Sequence, residues 1–161
     1  MTLDELNRLP AARAKPEFVR CCGSTRWATA MAKARPFASV EAMQAKGDEI
    51  WSSLGKTDWL EAFAAHPKIG DTSGGSEWST AEQKGMQSAD EETKTRVAAL
   101  NELYQRRFGY IFIVCATGTS PAEMLARIQA RMSNGPHAEL AIAAEEQRKI
   151  TRLRLAKLVD A

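Results

Sequence analysis

Two charged residues fall where the helical pattern around them is apolar. Between about Thr80 and Phe108, a turn of roughly 100° per residue gathers Met86, Ala89, Val97, Leu100, Leu103, Tyr104 and Phe108 on one arc, and Glu82 projects into its middle. Toward the C-terminus, Leu140, Ala143, Ile150, Leu153, Leu155 and Leu158 form a second arc with Arg154 near its centre, while Arg148, Lys149 and Arg152 face outward. A carboxylate aimed at a core must find hydrogen bonds, a cation or a proton. A guanidinium in such a place offers a planar fork suited to a carboxylate or an anionic ligand. His66, at the end of an apolar segment containing Trp59, Leu60 and Phe63, adds a group that exchanges protons near neutral pH. Together these types suit proton transfer on a small anionic substrate. Each also has a purely structural reading: Glu82 completes a capping box with Ser79, Arg154 joins an internal salt bridge or snorkels to water, and His66 is a packed or C-capping side chain.

Other chemistries find less support. His137, the second of two histidines, sits at a helix start, and no HxxxH pair or His/Cys cluster argues for a metal. Cys115 lies in an apolar run that raises its pKa and reads as core, which disfavours a thiolate nucleophile. Neither Gly118-Thr119-Ser120 nor the Ser73–Ser76 loop has the form of a phosphate-cradling loop.

About eight helices are expected to hold these residues. The first is short and stops at Pro10; others cover approximately 16–22, 25–34 and 39–53, the last crossing Gly47 at some cost in propensity. Thr57 is expected to cap the next, which Pro67 ends at His66. Residues 67–78 carry three glycines and no apolar period, and read as a loop able to cover a pocket. A long helix from about Thr80 to Phe108 follows, then a buried extended run from Tyr110 to Ala116. Pro121 opens one further helix, Asn134-Gly135 ends it, and Pro136 opens the last, through about Val159. Capping boxes are readable at Thr2/Glu5, Ser79/Glu82 and Ser120/Glu123.

Composition narrows the class. The 161 residues, 44% hydrophobic, suffice for one domain with a single core, so residues 1–161 are expected to form one all-α unit. A formal net charge of +2 gives no electrostatic case for nucleic acid or a membrane surface. Three cysteines, two of them adjacent, form no disulfide framework, and the first ten residues lack a secretory pattern, so a cytoplasmic protein is expected. A non-catalytic helical interaction module is the competing reading.

The chain resembles the 2-oxo-4-hydroxy-4-carboxy-5-ureidoimidazoline (OHCU) decarboxylases over nearly its whole length. The marks are His66-Pro67-Lys68-Ile69-Gly70, Ser79-Thr80-Ala81-Glu82-Gln83, Leu100-Asn101 with Tyr104, Phe108-Gly109-Tyr110 running into Ile111 to Ala116, and Lys149 to Leu155. The resemblance implies an all-α fold, usually dimeric, without cofactor or metal, that converts a ureidoimidazoline to (S)-allantoin in urate breakdown. It implies a catalytic set of His66, Ser79, Glu82 and Arg154, with Pro67 and Gln83 as substrate contacts. Backbone groups of Val114, Cys115, Ala116, Thr117 and Gly118 are expected to line the pocket. Lys68-Ile69-Gly70 stands where some members carry an Asp-Leu-Ala type of sequence, so this resemblance implies least about the loop.

Overall fold

Most helix starts are set by a short polar side chain that accepts a hydrogen bond from an otherwise unpaired amide. Residues 1–67 and 90–160 are described by a computed structural model. Among them all regular structure is helical: α1 (Leu3–Arg8), α2 (Ala11–Cys21), α3 (Thr25–Ala34), α4 (Val40–Ser53), α5 (Lys56–Ala64), α6 (Glu91–Phe108), α7 (Pro121–Arg131) and α8 (Pro136–Leu158). Thr2 and Glu5 form the expected capping box, and Ser24, Ser39, Asp90 and Ser120 cap α3, α4, α6 and α7. At α7 the hydroxyl of Ser120 accepts from the Glu123 amide and donates to the Glu123 carboxylate.

Three helix starts differ from expectation. The second helix begins at Ala11 and runs through Pro16 rather than starting there. An interior proline forfeits one backbone bond and costs about 3 kcal/mol, and burial of Ala14, Phe18 and Cys21 on the same helix works against that cost. The fifth helix starts at Lys56 behind Gly55, with no side-chain cap, so Thr57 lies within its first turn. The helix expected from about Thr80 starts at Glu91, because Asp90 is extended (φ −70°, ψ 166°) and caps it there. Glu82, Met86 and Ala89 of the expected arc lie outside the described residues, and the buried face of α6 is Val97, Asn101 and Tyr104; Leu103 is 49% exposed.

The chain divides into two compact units, Met1–Ala65 with Gln147–Ala161, and His66–Glu146, so that the boundary falls inside α8. In the first unit the core comprises Leu6, Phe18, Trp27, Met31, Met43, Trp51, Phe63 and Leu155. The indole of Trp27 donates to the Gly47 carbonyl at 3.0 Å. A Cβ at Gly47 would lie 3.3 Å from both Leu155 Cδ1 and Trp27 Cζ2, so close packing accounts for a glycine in mid-helix. The guanidinium of Arg35 gathers the carbonyls of Leu6, Leu9 and Ala32 at 2.7 to 2.9 Å and satisfies the ends of α1 and α3.

In the second unit α6 packs against α7. Gly109, in the left-handed region at φ 87°, ends α6 and turns the chain into residues 110–116, which are neither helix nor strand. Tyr110, Phe112, Ile113 and Val114 of that run are buried, as expected of it, and the rings of Tyr110 and Phe112 both meet the ring of Tyr104 edge-on.

Candidate functional site

His66 follows the C-cap of α5 by one residue and is half-buried, as is Pro67. The helix stops two residues earlier than Pro67 alone requires, and its end rests on the turn between α2 and α3. A Cβ at Gly23 would lie 2.5 Å from the Cβ of Ala65, closer than real side-chain carbons approach. Glycine at 23 thus leaves room for the α5 C-cap Ala65, immediately before His66.

Arg154 is buried, 7% exposed, on the inner face of α8 with Gln147, Ile150, Thr151, Leu155 and Leu158. Its Nη1 donates to the Arg20 carbonyl at 3.4 Å. Of the expected arc, Ala143, Ile150, Leu155 and Leu158 are buried, Leu140 is half-buried and Leu153 is 39% exposed. Gln147 donates to the Thr151 hydroxyl at 3.0 Å, so polar groups recur along the face that carries Arg154. Arg148 and Arg152, expected to face outward, both pair with Asp48 of α4, at 3.3 and 2.6 Å.

Val114 is buried, Cys115 and Ala116 are half-buried, and Thr117 and Gly118 form an exposed turn in which Gly118 has φ 76° and the Ala116 carbonyl accepts from the Thr119 amide at 2.9 Å. Cys115, expected in the core, is only half-buried because the chain is leaving the interior there. His66, Pro67 and residues 114–118 belong to the second unit and Arg154 to the first. Ser79, Glu82 and Gln83 lie outside the described residues, as does most of the expected loop at 67–78.

A group of residues not singled out from the sequence holds the 110–116 run. Irregular buried backbone has no ladder to pair with, so side chains must satisfy it. Arg131 Nη1 donates to the Ile113 carbonyl at 2.6 Å, and Glu146 Oε1 accepts from the Cys115 amide at 3.1 Å. Arg131 is itself fixed by Glu139, whose Oε2 accepts from Nε at 2.8 Å and Nη2 at 2.5 Å, and its guanidinium lies 4.2 Å from the centroid of the Phe112 ring. The hydroxyl of Tyr104 also donates to Glu139, and Asn134 donates to the other oxygen at 3.0 Å. Burial, then the bond to Glu139, pushes the Tyr104 hydroxyl well above its ordinary pKa. Glu139 is fully buried, so removing one member of this ion pair should cost about 3 to 5 kcal/mol. The signal was available: Arg131 follows Met124 and Ile128, and Glu139 precedes Ala143 and Ile150, at helical spacing, as Arg154 does among its apolar neighbours. Asn101 Nδ2, also buried, has no hydrogen-bond partner among the described residues.

No group of three or more potential metal-ligating side chains occurs among the described residues, and no described helix is long and apolar enough to cross a membrane.

Comparison with known proteins gives a consistent result. A profile for the OHCU decarboxylase family matches residues 7–156. The chain is 44% identical over 153 residues to the uric acid degradation bifunctional protein TTL of Arabidopsis thaliana, with 88% of this chain covered; it spans 46% of that relative's length, under half. It is 31% identical over 139 residues to the 2-oxo-4-hydroxy-4-carboxy-5-ureidoimidazoline decarboxylase of Amia calva, covering 83% of this chain and 79% of the relative. Among solved structures, an OHCU decarboxylase crystallised in the presence of (S)-allantoin superposes with a TM-score of 0.81 at 40% identity, over 89% of this chain and 96% of that one.

Proposed function

The chain belongs to the OHCU decarboxylase family, a family of carboxy-lyases, and from that premise we propose that it decarboxylates 2-oxo-4-hydroxy-4-carboxy-5-ureidoimidazoline to (S)-allantoin in urate degradation. The observation that carries the proposal is Arg154: a guanidinium 7% exposed, on an inner helix face, within the residues that match the family. Such a group suits an oxygen of an anionic ligand.

The substrate carries a carboxylate and a hydroxyl on one ring carbon, beside a carbon–nitrogen double bond. When the carboxylate leaves as carbon dioxide, its bonding pair passes into that double bond and the nitrogen takes up a proton. The resulting enol becomes a ketone as its hydroxyl loses a proton and the adjoining carbon gains one. Because the substrate supplies its own electron sink, the reaction is proposed to run without a cofactor, leaving the protein to orient the reactant and move protons. Arg154 holds a carboxylate or carbonyl oxygen, Glu82 accepts from ureido and ring N–H groups, and Gln83, Ser79 and Pro67 complete the contacts. Backbone groups of residues 114–118 are proposed as further substrate contacts. His66, near the hydroxyl, is the general acid/base. Proton delivery to one face gives a single stereoisomer. The working form is proposed to be a cytoplasmic homodimer.

These residues act as a unit, since an anionic substrate beside Glu82 needs His66 or Arg154 to balance the charge. With freshly generated substrate, His66→Ala and Glu82→Gln should each lose roughly 100-fold or more in kcat while remaining folded by circular dichroism. Folded variants with near-normal turnover would refute the assignment.

A further inference from the structure

Resting on the decarboxylase reading, we infer that Glu146 and Arg131 are positioning residues that set the course of the 113–115 backbone, and with it the part of the pocket expected at residues 114–118. Two main-chain groups of this irregular stretch are held by charged side chains rather than by secondary structure: the Ile113 carbonyl by Arg131 at 2.6 Å and the Cys115 amide by Glu146 at 3.1 Å. The two anchors straddle Val114, so they determine which way its peptide groups face. Arg131 cannot swing away, because Glu139 holds two of its nitrogens and the Phe112 ring lies against its face. Glu146 is 8% exposed, and the residue before it, Glu145, is exposed. A buried carboxylate accepting from a main-chain amide is an expensive arrangement to maintain if an apolar side chain would pack as well. What it provides is a fixed direction for the peptide at 114–115.

Glu146 is the residue to vary, because Arg131 is tied into the buried ion pair and its loss threatens folding. Glu146→Gln keeps an acceptor for the Cys115 amide, whereas Glu146→Ala removes it. Steady-state kinetics on freshly generated substrate and calorimetric titration with (S)-allantoin would be run on wild type and both variants, with thermal melts alongside. Glu146→Ala should raise KM and weaken allantoin binding by about tenfold with kcat within about threefold of wild type, a split that marks lost substrate positioning. Glu146→Gln should restore both to within about threefold of wild type. A folded Glu146→Ala protein with unchanged KM and allantoin affinity would overturn the inference while leaving the decarboxylase reading intact; so would a loss confined to melting temperature. A wild-type protein inert toward the substrate would instead overturn the decarboxylase reading and this inference with it.

Discussion

Cys21 and Cys22 are close enough to Arg154 to feel its charge, yet that charge does not decide their state. Burial raises both thiols and outweighs the lowering by Arg154: Cys21 is pushed far above the ordinary thiol range and Cys22 up to about 11. Near neutral pH both are therefore uncharged thiols, and neither neutralises the guanidinium. Cys115 differs in being half-buried at the edge of the run that we place in the pocket. Brief treatment with a maleimide should modify Cys115 and spare Cys21 and Cys22 until the protein unfolds, and (S)-allantoin should slow the modification. Peptide mapping that found Cys21 or Cys22 labelled as fast as Cys115 would contradict this account of their burial.

Helix ends do much of the positioning. The close approach of Gly23 to Ala65 fixes the C-cap of α5, one residue before His66, so Gly23→Ala must push that cap aside. Displacing a proton-transfer group costs rate steeply, so on the role proposed for His66 kcat should fall by roughly 10- to 100-fold with helical content retained. Adding Ala65→Gly, which removes the opposing methyl, should recover most of the loss; a fully active Gly23→Ala protein would show that the contact does not matter. At the start of α6, the amide and then the hydroxyl of Thr93 hold the Asp90 carboxyl below its unfolded value of 3.8. A lowered folded-state pKa contributes stability above the unfolded value that disappears as pH falls through the folded one. Asp90→Ala should accordingly lower Tm near neutral pH, and its deficit should narrow below pH 3.8. Equal deficits at both ends of the titration would argue against the charged cap. These ends also show what local sequence encodes. Ser39, Ser120, the Thr2/Glu5 box and Pro136 are legible because cap and amide are neighbours in the chain. Pro16 within α2 was not, because its tolerance depends on the burial of Phe18 and Cys21. The helix start at Glu91 is not legible in the same way, because an apolar period running through 80–108 hides the capping residue Asp90.

Across the whole chain, α8 is shared between the two units: Glu139 and Glu146 on its first half belong to the second unit and Arg154 on its second half to the first. The inward turn of Arg154 was legible from periodicity alone. Its partners in the proposed reaction were legible only through resemblance, since a single sequence does not say which distant side chains meet. The same holds for the Arg131–Glu139–Tyr104 network, whose members are 8 and 35 residues from Glu139 and are joined only by folding. The family profile covers residues 7–156, so the match includes both units rather than one. The most direct test of the central claim is stereochemical. Urate would be oxidised and hydrolysed by upstream enzymes in the presence or absence of this protein, and the allantoin formed would be resolved on a chiral column. The account predicts rapid formation of the (S) isomer alone; racemic allantoin, appearing at the rate seen without the protein, would contradict it.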